Sequence, residues 1–269
     1  MPRRLRLDAE LVRRRLARSR EQATELIAAG RVRVAGTVAS KPATGVTTDV
    51  AIVVTDSNDG RPEFASRGAH KLLGALAVFA PRGLDLNGRH ALDAGASTGG
   101  FTDVLLQAGC ASVVAVDVGY GQLDRRLATD ERVYVLDRTN VRHLEPDALP
   151  FLPDLIVADL SFISLTKVLP ALVSVSRSPA DLVLMVKPQF EVGHDRVGAG
   201  GVVRDPRLRV EAVLSVAAGA WSLGLGVAGV TASPLPGPAG NVEYFCWLRP
   251  DAPEVDHPTV ARVVADGPQ

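Results

Sequence analysis

The sequence predicts an α/β protein: a doubly wound sheet of seven strands with a small α+β module in front of it. Three observations predict this. From residue 90 onward, seven short apolar runs alternate with helix-length segments, the pattern of strands joined by crossover helices. A glycine-rich turn, Gly95-Ala96-Ser97-Thr98-Gly99-Gly100, directly follows the first run, where such sheets hold their ligands. The charge is also divided, because residues 1–41 carry eleven Arg or Lys against four acids while the whole chain is neutral. A basic end on a neutral chain points to a polyanion-binding module joined to a second domain. We place these at residues 1–56 and 66–250, with a linker at 57–65 and a C-terminal tail at 251–269.

The basic end reads as two short helices and a hairpin. "LDAELVRRRL" offers Leu7, Leu11 and Leu16 for an apolar side. Ser19 caps the next helix, with Gln22 three residues on to complete a capping box. Ala23, Leu26 and Ile27 turn inward, and Gly30 takes the left-handed position past the helix end. "RVRVAGTVAS" alternates as strands do and turns at Gly36 before Lys41-Pro42. Arg4, Arg6, Arg18, Arg20, Arg31, Arg33 and Lys41 stand around these elements. Phosphate contact by such a cluster releases counterions and favours binding. The runs Arg6-Leu7-Asp8, Arg18-Ser19-Arg20, Gly30-Arg31-Val32 and Lys41-Pro42 resemble the S-four RNA-binding domain over about residues 5–55. The resemblance implies recognition of structured RNA through backbone and shape. Its expected contacts are Arg4, Arg6, Arg18, Arg20 and Lys41, with Arg67 beyond the linker as a further one.

After the turn formers of "TDSNDGRPEFASRGAHKL", Ser66 is placed to cap a helix with Leu72, Leu73, Leu76 and Phe79 on its apolar side. Strands follow at 90–93, 112–117, 133–136, 154–159, 182–187, 227–233 and 243–248, with helices near 99–109, 120–128, 163–176 and 206–222. The glycine-rich loop lacks the lysine of a phosphate-binding P-loop. Ser97 stands where a dinucleotide loop needs glycine for a pyrophosphate, which argues for a smaller ligand. Asp93 before the loop, Asp117 ending the second strand as a ribose-binding carboxylate, and Asp137 ending the third fit S-adenosylmethionine. The expected cofactor residues are Asp93, Gly95, Ala96, Ser97, Thr98, Gly99, Gly100, Phe101, Asp117 and Asp137.

Composition excludes several classes. Cys110 and Cys246 lie in apolar sequence and the five histidines form no ligand pair, so neither a disulfide framework nor a metal site is expected. A reducing cytoplasm is the expected compartment. The uncharged run at residues 212–230 approaches membrane-spanning length, but glycines interrupt it. It reads better as a buried helix, a turn and a strand, so no stable membrane insertion is expected.

Two strand ends carry charges after runs too apolar to accept one without a partner or a cleft: Asp159 and Lys187. Glu243 opens the last strand, and Lys71 lies in the helix before the sheet. Each alone fits a structural ion pair as well as catalysis. Together, in the contexts "GAHKL", "ADLSF", "VKPQFEVG" and "GNVEYF", they resemble the Lys-Asp-Lys-Glu tetrad of ribose 2′-O-methyltransferases of the FtsJ/RrmJ type. With the basic domain in front, residues 3 to about 249 are similar to the TlyA family of ribosomal RNA methyltransferases, historically labelled hemolysins.

The resemblance implies a Rossmann-like methyltransferase domain and S-adenosylmethionine as cofactor. It also implies methyl transfer to a cytidine ribose in small- and large-subunit ribosomal RNA, met within ribosomal subunits and without an obligate protein partner. Relatives tend to carry Trp-Val before the Ser-Arg-Gly of the linker, where this chain has Phe64-Ala65. A ribose hydroxyl is a weak nucleophile, so the site must align it with the sulfonium methyl and remove its proton. Lys187 is the candidate base beside Lys71, with Asp159 and Glu243 orienting the lysines. Two rivals remain at this level, a membrane-active hemolysin and a non-catalytic RNA-binding protein, and neither requires affinity for S-adenosylmethionine.

Overall fold

The computed structural model describes residues 4–17, 19–55 and 64–268, in two compact units divided between residues 63 and 64. Arg18 and linker residues 57–63 lie outside the described residues.

The first unit runs β1 (Leu5–Arg6), α1 (Leu7–Arg13), α2 (Arg20–Ala28), β2 (Val32–Val34), β3 (Thr37–Val38), β4 (Gly45–Val46) and β5 (Ile52–Val54). Both helices bury one side, Leu7 and Leu11 from α1 and Ala23, Leu26 and Ile27 from α2, against Val32 and Val46. Ser19 Oγ accepts from the Gln22 N–H at 3.1 Å, closing the N-terminus of α2. Gly30 follows with φ +68°, a left-handed conformation that costs glycine little. Leu16, expected on the apolar side, is instead exposed, because α1 ends at Arg13 and the chain turns through Arg15 at φ +60°. β2 pairs antiparallel with β3, across a turn at Ala35 and Gly36, and with β5. β1 pairs with β4. Two-residue strands carry no periodic signal, which is why β1 and β4 were not foreseen.

The second unit begins with α3 (Gly68–Phe79), β6 (His90–Ala94), α4 (Gly100–Gln107), β7 (Ser112–Val116), α5 (Arg125–Ala128) and β8 (Val133–Leu136). It continues through β9 (Leu155–Ala158), α6 (Leu169–Ser174), β10 (Asp181–Val186), α7 (Pro188–Glu191), α8 (Pro206–Trp221), β11 (Gly226–Ala232), β12 (Tyr244–Arg249) and α9 (His257–Asp266). Seven strands form one sheet in the order β11-β12-β10-β9-β6-β7-β8. β12 runs antiparallel to both its neighbours, and the other pairings are parallel. The strand order reverses between β6 and β9, so the crevice for a ligand opens at their carboxyl ends.

Side chains alternate between two cores, as the pleat requires. Leu92, Ile156 and Leu184 pack under α6, α8 and α9 on one face. Ala91, Val157, Val183, Met185, Phe245 and Trp247 pack under α3 and α4 on the other. At the amino edge, Arg89 donates to Asp154 Oδ1 at 3.0 Å and to Asp181 Oδ2 at 2.9 Å, while Trp247 Nε1 donates to Asp181 Oδ1 at 2.7 Å. These bonds tie the starts of β6, β9 and β10 together.

Three expectations change, and that for residues 212–230 holds. Ser66 is not a side-chain cap: α3 starts at Gly68 with Arg67 at the capping position, and Ser66 contributes its carbonyl to the Ala69 N–H. The helix expected over 120–128 shrinks to α5, because glycines 119 and 121 shape a loop ahead of it and Asp124 caps the helix at Arg126. Residues 212–230 divide into the end of α8, a turn at Gly224 and the start of β11, and no helix among the described residues is long and apolar enough to cross a membrane. The segment expected as a tail contains α9, capped by Asp256 and packed on α8 and β11.

Candidate active site

The period-two alternation that builds the α3 face continues past the strand ends. Ala91 leads to Asp93, Val157 to Asp159, Met185 to Lys187, and Phe245 leads back to Glu243. β12 runs against the others, so its amino end meets their carboxyl edge; the Val186–Tyr244 register sets Lys187 beside Glu243. α3 lies over this face and brings Lys71. Lys71 Nζ donates to Glu243 Oε2 at 2.5 Å, with the two residues 5% and 1% exposed. Lys187 Nζ lies 2.6 Å from Asp159 Oδ1, an ion pair without hydrogen-bond alignment, and donates to Ser161 Oγ at 2.9 Å. The four residues named from the sequence thus form two ion pairs at one edge of the sheet.

Close backbone approach makes this possible. Gly74 in mid-helix costs α3 about 1 kcal/mol of propensity. A Cβ there would sit 2.5 Å from Pro234 Cγ, so glycine admits the loop that leads to Glu243. In that loop a Cβ on Gly237 would lie 2.6 Å from Glu243 Oε1.

The glycine-rich loop adjoins the pairs. Gly95 has φ +88°, and a Cβ on it would lie 2.6 Å from the Asp159 carbonyl oxygen. Gly100 lets the start of α4 approach α3, where a Cβ would meet the Ala69 nitrogen at 2.9 Å. Four of the loop's N–H groups are already committed. Those of Gly95 and Ala96 bond the Val116 carbonyl, that of Ser97 bonds Asp117 Oδ2, and that of Gly99 bonds the Ala96 carbonyl. A phosphate-cradling loop aims such donors at its ligand, and these four are turned to the protein instead. Thr98 contributes its carbonyl to the Asp124 N–H.

Around the loop the charge is acidic. Asp93 is fully buried, accepts from Thr102 Oγ1 at 2.7 Å through Oδ2, and leaves Oδ1 without a partner. Burial pushes its carboxyl up to about 7, against the pull of Thr102, and the charges of Asp159 and Asp117 push it further. Asp117 also accepts from the Gly119 N–H at 2.7 Å, and Asp137 from the Gly121 N–H at 2.8 Å. An orphan buried oxygen among three acids suits a cationic ligand rather than a phosphorylated one. Phe101 departs from expectation: its side chain is buried in the α3-face core, with its ring 6.1 Å from that of Phe245, and does not line the loop.

Sequence reasoning passed over the loop after β9. Phe162 is 91% exposed, has φ +64°, and its ring lies 5.3 Å from that of Phe190 on α7. A left-handed, solvent-exposed phenylalanine beside the Lys187–Asp159 pair is costly in two ways. Its only signal in the sequence was an aromatic within "ADLSF".

Of the expected RNA contacts, Arg4 and Lys41 are exposed on the first unit. Arg6 and Arg20 both hold Asp8, at 3.0 Å and 2.8 Å, with about half or more of each side chain exposed. Arg67 belongs to the second unit, one turn ahead of Lys71. No group of three or more His, Cys, Asp or Glu among the described residues is arranged to hold a metal.

Comparison with known proteins agrees with this geometry. The FtsJ-like methyltransferase family matches residues 64–250, and the S4 domain matches residues 5–52. The 16S/23S rRNA (cytidine-2'-O)-methyltransferase TlyA of Mycobacterium tuberculosis is 62% identical, over 93% of this chain and 91% of its own. Hemolysin A of Brachyspira hyodysenteriae is 35% identical over 90% of this chain and 98% of its own. A solved structure from Streptococcus thermophilus, provisionally described as a hemolysin, superposes with a TM-score of 0.77 at 37% identity, covering 98% of this chain and 96% of the other. With two ion pairs beside a glycine-rich loop and these matches along most of its length, the chain belongs to the FtsJ-like methyltransferase family, in the TlyA group that carries an S4 domain ahead of the catalytic one.

Proposed function

We propose that the protein transfers a methyl group from S-adenosylmethionine to a cytidine ribose 2′-hydroxyl of ribosomal RNA, in both the small and large subunits. The observation that carries this is the pairing of Lys71 with Glu243 and of Lys187 with Asp159 at the sheet edge that holds the glycine-rich loop. When bound, S-adenosylmethionine supplies an activated methyl carbon and leaves as the thioether. Asp93 and Asp159 would face its positive charge, Asp117 would accept hydrogen bonds from its ribose hydroxyls, and Asp137 would serve its adenine. Ser97, with Gly95 and Gly99, shapes the turn around it.

On the acceptor side, Lys187 takes the hydroxyl proton as the oxygen–carbon bond forms and the carbon–sulfur bond breaks. Asp159 and Ser161 hold its amine in place, and Lys71, fixed by Glu243, completes the wall of the site. Phe162 offers a ring on which the target base stacks once it leaves its helix. Arg4, Arg6, Arg18, Arg20 and Lys41 of the S4 domain, with Arg67, bind phosphates around the target. A ribosomal substrate places the reaction in the cytoplasm.

The test uses purified protein, a methyl-labelled donor and ribosomal subunits lacking the modification. Label should enter rRNA at a position that then resists alkaline cleavage, because a methylated 2′-oxygen cannot attack its phosphate. Label that enters a base, or none at all, would defeat the proposal.

A further inference from the structure

We infer that Glu191 is a positioning residue that clamps the loop after β9 against α7 and so sets the stance of Phe162 toward the acceptor RNA. The inference rests on the methyltransferase reading and extends it to a residue outside the tetrad. Lys187, Phe190 and Glu191 stand at i, i+3 and i+4, so a single turn of chain presents all three on one side. Each meets a different part of the facing loop. Lys187 holds Asp159 and Ser161, Phe190 meets Phe162, and Glu191 holds Ser164 and Leu165.

Glu191 Oε2 accepts from Ser164 Oγ at 2.5 Å and Oε1 from the Leu165 N–H at 2.8 Å. Ser164 Oγ in turn accepts from the Thr166 hydroxyl at 2.6 Å and from the Thr166 N–H at 3.2 Å, which fixes the start of the short helical turn Leu165–Lys167. The loop is therefore tied at both ends, with Phe162 between the ties. A left-handed backbone at a phenylalanine persists only where its surroundings over-determine it, and these two ties do so. Without Glu191 the lysine end remains anchored, while the stretch around Phe162 can relax to an ordinary backbone and cover its exposed ring. Burial holds the Glu191 carboxyl above its usual range, and the clamp needs no charge: a neutral group with an acceptor and a donor satisfies Leu165, Ser164 and Thr166.

The test compares Glu191→Ala, Glu191→Gln and Ser164→Ala with the wild type, each carrying its full chain. Methyl transfer to ribosomal subunits, donor affinity by calorimetry and thermal unfolding are measured for each. Glu191→Ala should lower kcat/KM for RNA by about tenfold or more, while the donor Kd stays within about twofold. Glu191→Gln should recover most of that loss. Ser164→Ala, which cuts the clamp from the loop side, should move the same parameter in the same direction and decides the matter should Glu191→Ala fail to fold. The double variant Glu191→Ala/Phe162→Ala should be no worse than Phe162→Ala alone, since both act through one ring. Additive losses, a fall in donor affinity, or a glutamine variant as impaired as the alanine would overturn the clamp. A wild-type protein that leaves ribose unmethylated would instead overturn the activity on which it rests.

Discussion

At the scale of single residues, the proposed function gives Lys187 the chemistry and its neighbours the geometry. Lys187→Ala should lower methyl transfer by about 10²–10⁴-fold, the usual worth of a positioned base, with S-adenosylmethionine still binding in calorimetry. Near-normal turnover would remove this lysine from the reaction. Gly237→Ala places a carbon 2.6 Å from Glu243 Oε1 and must displace that carboxylate from Lys71. We expect about a tenfold loss of kcat with the melting temperature little changed; an unaffected kcat would show that the Lys71–Glu243 pair is not needed in place. Asp93 predicts a pH effect. Its carboxyl is raised from an ordinary 3.8 to about 7, so between those values the folded protein keeps a proton that the unfolded chain has lost. Stability should therefore fall as pH rises through this window and level off above it. Asp93→Asn keeps an acceptor for Thr102 and should flatten that decline in urea unfolding followed across pH. Parallel curves for the two proteins would show that Asp93 does not titrate there.

At the scale of elements, most strands were legible as apolar runs, and Asp159 and Lys187 as the charges that end two of them. A run such as "DLIVADLSF" must place every second residue under α3, and the residue that continues the series past the last apolar one is Asp159. The same count reaches Asp93, Lys187 and Glu243 in the structure, whereas in the sequence the tetrad was joined by its resemblance to FtsJ/RrmJ-type methyltransferases. What stayed hidden depends on contacts between distant segments. Nothing local marks Gly74 as the place where Pro234 approaches, and Phe162 is a strand-end aromatic until its backbone conformation is seen. Ser66 misled because a serine before a helix usually caps it, whereas here the turn begins one residue later. α9 was missed although Asp256, Pro258 and the valines at 260 and 264 carry a cap and an apolar face. The amino edge supplies a contrast with the site: Arg89→Ala should cost roughly 2 kcal/mol by leaving Asp154 and Asp181 short of a donor. Chemical denaturation should register that loss while kcat of the folded enzyme holds; a collapse of kcat at full stability would mean that this edge reaches the chemistry.

At the scale of the whole molecule, a neutral chain with a net positive charge in its first forty or so residues and a net negative one beyond combines an S4 unit with a glycine-rich loop set among acids. The historical hemolysin label finds no spanning helix among the described residues, and the run that suggested one is divided between the end of α8 and the edge strand β11. The central claim is that the two ion pairs serve methyl transfer to ribose in ribosomal RNA. Ribose-methylation mapping of both subunits tests it most directly, in cells lacking this protein and supplied with either the wild type or Lys187→Ala. The account predicts cytidine 2′-O-methyl marks that return with the wild type and stay absent with the variant. Marks restored equally by both, or no ribose mark that depends on the protein, would contradict it.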